Sequence, residues 1–91
     1  MIEYSEVAMI NAASYALDYR DKNPYVDVEE IIKKVIVNLD SVMIKRDLKV
    51  FGIAAANEIL KLRKQHKGKT NKQILQIFAN NISEFLERLK E

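Results

Sequence analysis

The sequence predicts an all-α fold, a single-domain antiparallel bundle of four helices. Apolar residues recur at three- and four-residue spacing along most of the chain. Only two glycines and one proline interrupt it, too few turn signals for a sandwich or barrel. Polar residues suited to capping stand where the periodic runs begin. Ninety-one residues, 48% of them apolar, make one domain over 1–91.

The first helix is expected over 5–20, with Ser5 as its N-cap. Val7, Ile10, Ser14 and Leu17 form a narrow stripe, and Ala8, Ala12, Ala13 and Ala16 beside it leave room for another helix to come close. Pro24 disfavours helical dihedrals at Asn23 and ends the segment. The second helix is expected over 28–44. Asp27, with Glu30 three residues on, approximates a capping box. Val28, Ile31, Ile32, Val35, Leu39, Val42 and Met43 make its stripe, widened by Ile36 and Val37; their β-branching would fit a strand, but the span and period do not.

The apolar phase slips between Met43 and Leu48. The reading is a short turn at Lys45-Arg46-Asp47 with Asp47 as cap, and a continuous kinked helix is the alternative. The third helix is expected over 48–67. Its run from Val50 to Ala56 is apolar on every side, so it is buried all round, either inside the domain or against a second chain. Gly68 fits a left-handed helix stop. Thr70 with Gln73 forms a T-x-x-Q capping box for a fourth helix over 71–90, striped by Ile74, Phe78, Ile82, Phe85 and Leu89. Short connections favour up-down-up-down topology.

Charge is uneven. Residues 1–40 hold eight acids and four bases, residues 41–76 nine bases and two acids, and residues 77–91 three acids and two bases, for a net +2. Such polarity favours an acidic partner or an opposite end of the same molecule. Cysteine is absent, which excludes disulfides and fits a reducing compartment. No stretch approaches the roughly 18 apolar residues of a membrane span. The expectation is a soluble cytoplasmic protein with no membrane association.

Several motifs tempt and then weaken. Gly68-Lys69-Thr70 ahead of a helix matches the end of a phosphate-binding loop, but the full pattern needs a glycine where Arg63 stands and a strand where a helix is expected. His66, the single histidine, sits among Arg63, Lys64, Lys67 and Lys69, which repel a metal and orient no base. Glu29 and Glu30 point about 100° apart on a helix and complement its dipole. Tyr4, Tyr15, Tyr19 and Tyr25 fit a bundle rim better than a recognition surface. No nucleophile, base and orienter can be assembled. No catalytic residue, metal, cofactor or small-molecule substrate is therefore expected, and no motif of a known family stands out.

Two features carry functional expectations. The first is the third helix: Val50, Phe51, Ile53, Ala54 and Ala56 are the candidate protein interface, for a homodimer or a protein partner docking on the 48–62 helix. Gly52 and Ala55 would help backbones approach. The competing reading is that this helix is simply the most central one. The second is the basic corner of Lys61, Arg63, Lys64, Lys67, Lys69 and Lys72, a candidate patch for nucleic acid or another polyanion, without an aromatic in the cluster to stack a base. A non-enzymatic interaction module is the preferred expectation, and polyanion binding is the alternative.

Overall fold

Helix formation follows the caps and periodic runs. The computed structural model describes residues 4–41 and 46–90. Among them five helices form: α1 (Tyr4–Lys22), α2 (Val28–Ser41), α3 (Arg46–Gln65), α4 (Asn71–Asn80) and α5 (Ile82–Lys90). No strand forms among these residues, so the all-α expectation holds. The Cα radius of gyration, 12.3 Å, is close to the roughly 12 Å of a compact chain of this length.

Two start signals work as read. Asp27 Oδ1 accepts the Glu30 backbone N–H at 2.9 Å. Thr70 and Gln73 close the capping box in both directions: the Gln73 N–H donates to Thr70 Oγ1 at 3.2 Å, and the Thr70 N–H to Gln73 Oε1 at 2.9 Å. Each satisfies helix-end amides that would otherwise lack partners.

Other boundaries need correction. Helix α3 is already formed at Arg46, so Asp47 lies inside it rather than capping it. Val42, Met43 and Lys45 lie outside the described residues. Helices α2 and α3 nevertheless do not lie along one straight rod. The Leu39 side chain meets the backbone at Gly52, whereas these residues would stand about 20 Å apart along one rod. Gly68 does not take left-handed backbone. Helix α3 stops two residues before the expected Lys67, and the Lys69 N–H turns back to the His66 carbonyl at 3.1 Å.

The expected helix over 71–90 is two. At Asn81 the side-chain amide donates to the Ile77 carbonyl at 2.9 Å, and the backbone N–H donates to the Phe78 carbonyl at 3.1 Å. The side chain has taken the acceptor that an unbroken helix gives to its own backbone, a known competition for asparagine. The Phe85 N–H then bonds the Asn81 carbonyl at 3.0 Å and α5 begins.

The most extensive packing is between α1 and α3. Ala12 lies beside Gly52 and Asp21 beside Arg63, so the two helices run parallel. A β-carbon on Gly52 would stand 2.9 Å from Leu39 Cδ1 and 3.4 Å from Ala12 Cβ, so only glycine admits this approach unstrained. The buried face of α1 is Ala8, Met9, Ala12, Ala13, Ala16 and Leu17, which corrects the expected stripe: Val7 and Ser14 are exposed. Small side chains let α3 settle close, and the alanines become the core-facing side. Helix α2 packs on both members of this pair through Ile31, Val35 and Leu39. Helix α4 also packs on both, through Ile74 and Phe78, while α5 rests on α1 and α4 through Ile82 and Leu86. Phe78 meets Phe85 edge-on at 5.8 Å between centroids, a favoured aromatic geometry.

Candidate functional site

The C-terminal half of α3 has two sides. Ile59 and Leu60 are buried, while Lys61, Lys64 and Lys67 project into solvent. Lys61 and Lys64 stand about 4.5 Å apart along the helix axis, and Lys67 follows in the turn beyond Gln65. Three shallow depressions follow this row. The first, about 230 Å³, is lined by Val28, Asn57, Leu60, Lys61 and Lys64. The second, about 150 Å³, is lined by Arg20, Val28, Leu60, Arg63, Lys64 and Lys67. The third, about 250 Å³, is lined by Arg63, His66, Lys67, Lys69 and Ile74. Each shares residues with the next, so together they form one trough. Val28 and Leu60 give it an apolar floor, cations give it a rim, and no carboxylate lines any of its three parts.

The six basic residues expected here do not act alike. Arg63 is committed to the fold: its Nη2 lies 2.9 Å from Asp21 Oδ1, and its Nη1 donates to Asn71 Oδ1 at 2.9 Å. Asn71 in turn donates to Asp21 Oδ2. This triangle ties the end of α1, the end of α3 and the start of α4. Arginine suits it because the planar guanidinium offers two parallel donors at once. Arg20 is similarly occupied, donating to the Val26 carbonyl and holding the α1–α2 loop. Lys61, Lys64, Lys67, Lys69 and Lys72 are exposed, and no acid among the described residues pairs with them. Lys72 stands on the first turn of α4, outside the lining of the trough, and His66 is half-buried at its far end. What this arrangement offers is a row of mobile ammonium groups, which attract anions without holding a planar ligand in fixed geometry.

Comparison with protein-family models, with characterised proteins and with solved structures finds no match.

The second expected surface is largely used up inside the chain. Gly52, Ala55 and Ala56 are buried, Ala56 completely, so Ala56 is not available to a partner. Phe51, Ile53 and Ala54 are half-buried, and Phe51 and Ile53 pack against the core. Val50 is 61% exposed. Most of the apolar excess of this helix is therefore matched by α1 and α2.

The run of charge in the sequence gives no sign that Arg20, Val28, Tyr25 and Asn71 belong to this corner. Arg20, Tyr25 and Val28 lie more than thirty residues from Lys61 in sequence, and only the parallel course of α1 and α3 brings their loop to this end. Tyr25 is 99% exposed in that loop. Standing three residues from Val28, it lies within about 11 Å of the floor. Tyr15 and Tyr19 are half-buried and stacked at 6.3 Å, as expected of a rim. No described helix is long and apolar enough to cross a membrane.

Proposed function

We propose that this protein is a non-enzymatic docking module that binds an anionic macromolecule along the trough beside α3. The observation that carries this reading is the row Lys61, Lys64, Lys67 and Lys69, exposed and unpaired among the described residues, along depressions that no carboxylate lines. Charges left unmatched on one face raise the local concentration of a partner of opposite sign and speed its association. The apolar floor adds area that a purely electrostatic contact would not need. Anisotropy titration with a fluorescein-labelled heparin oligosaccharide tests the reading. Binding is expected to weaken steeply with salt, and Lys64→Ala/Lys67→Ala/Lys69→Ala together should abolish it. Salt-insensitive binding, or unchanged affinity in the triple variant, would count against it. A labelled duplex DNA extends the test to nucleic acid. With four lysines along the trough, the slope of log K against log salt should be no steeper than about −3.6.

A second reading keeps the beginning of α3 as a contact between two copies. It is supported by Val50 and by Val37 of α2, 61% and 64% exposed, with Phe51, Ile53 and Ala54 half-covered beside Val50. Sedimentation at high micromolar concentration decides it: a dimer lost in Val50→Glu supports this contact, and a monomer removes it.

A further inference from the structure

We infer that the occupant of the trough is an acidic amphipathic helix of a protein partner, an inference that rests on the docking reading above. Three observations separate this occupant from a nucleic-acid strand. Both arginines that line the trough already bond within the chain: Arg63 uses both of its Nη groups on Asn71 and Asp21, and Arg20 is held by the Val26 carbonyl, so neither is free to turn its fork onto a phosphate. The floor of Val28 and the buried Leu60 is apolar and sits between the cations, where a phosphate backbone has nothing to place. One exposed aromatic, Tyr25, flanks the site, whereas strand-binding grooves stack successive bases on several aromatic rings.

The geometry matches a helix instead. Lys61 and Lys64 on α3 stand about 4.5 Å apart along its axis, the rise between carboxylates three residues apart on a second helix, and Lys67 continues the row in the turn after Gln65. Glutamates on one line of such a helix meet successive lysines while an adjoining apolar line settles on Val28 and Leu60. Recognition of this kind combines an apolar anchor with a charged rim. Tyr25, fully exposed three residues from Val28, is within reach of that anchor. A second copy docking through α2 lacks this complementarity, because the exposed face of α2 mixes Glu29 and Asp40 with Lys33 and Lys34.

The test uses the full chain and three labelled probes: a capped peptide of about 16 residues with glutamates and leucines on adjoining helical lines, a peptide of identical composition scrambled so that neither line exists, and the heparin oligosaccharide. The patterned peptide is expected to bind about tenfold more tightly than the scrambled one, and to gain helical circular dichroism on binding. Tyr25→Ala and Val28→Gln should each lower the ratio of patterned-peptide to heparin affinity several-fold; Tyr25 is fully exposed, so its loss does not threaten the fold. Heparin binding with equal affinity for both peptides overturns the helical occupant and leaves the docking reading standing. A single-stranded oligonucleotide that binds more tightly than the patterned peptide overturns it in favour of a strand. Failure of all probes, heparin included, removes both.

Discussion

The close approach at Gly52 sets the central seam, and it can be interrogated with two substitutions. Gly52→Ala places a β-carbon 2.9 Å from Leu39 Cδ1, 3.5 Å from Leu39 Cδ2 and 3.4 Å from Ala12 Cβ. Leu39 is completely buried, so its methyls have little room to yield, and overpacking of this kind costs about 1–3 kcal/mol. Alanine in mid-helix returns about 1 kcal/mol over glycine. The expected net effect is a loss of about 0–2 kcal/mol. Leu39→Ala alone removes the methyls and leaves a cavity, at a cost of about 2–5 kcal/mol. In that background the clash with Leu39 is gone, and Gly52→Ala should become neutral or stabilising, up to about 1 kcal/mol. The two residues should thus couple by about 1–3 kcal/mol in a double-mutant cycle measured by urea unfolding. A total stability of about 5–14 kcal/mol for 91 residues leaves room for the single variants to fold. If Gly52→Ala changes stability by the same amount whether residue 39 is leucine or alanine, the close seam described above is wrong.

Arg63 and Lys64 are neighbours of like charge with different work. Arg63→Ala breaks a half-exposed ion pair and a hydrogen bond, together about 1–2 kcal/mol, or a fall of about 5–15 °C in thermal midpoint. Lys64→Ala should leave the midpoint nearly unchanged and weaken heparin binding; equal melting of the two variants would refute the division of roles. Thr70→Ala removes one half of the capping box and should cost about 1 kcal/mol, read by thermal denaturation. Amides of α5, which buries only Ile82 and Leu86 fully, should exchange with deuterium well before those of α1 and α3; uniform protection across all five helices would contradict that.

Much of the helical content could be read directly. The start of the second and fourth expected helices was legible because each cap lies within three residues of its partner, and short-range chemistry of that kind leaves a local signature. Asn81 left none. Phe78, Ile82 and Phe85 continue one apolar period straight through it, and a break made by an asparagine side chain needs neither glycine nor proline. The alanine face of α1 stands beside the expected stripe rather than in it, because hydropathy ranks Val7 above Ala12 while close helix contact reverses the order. The basic corner was legible as a run of charge. Its division into a committed arginine and unpaired lysines was not, since Asp21 and Asn71 reach Arg63 from other helices. Likewise the floor of the trough needs Val28, which only the folded chain carries to Leu60. The apolar run of α3 is legible as unusual, yet hydropathy does not distinguish a helix at the centre of its own chain from one awaiting another.

The parallel course of α1 and α3 has a consequence for the order of assembly. Its defining neighbours, Ala12 and Gly52, are separated by forty residues, so the seam closes only after α2 has been laid down and the chain has doubled back twice. Closing such a loop costs on the order of 3 kcal/mol in chain entropy before any contact repays it. A nascent chain emerging from the ribosome therefore holds α1 with its alanine side unmatched until α3 has followed, and the step that limits folding is expected to be this late meeting rather than the winding of any one helix.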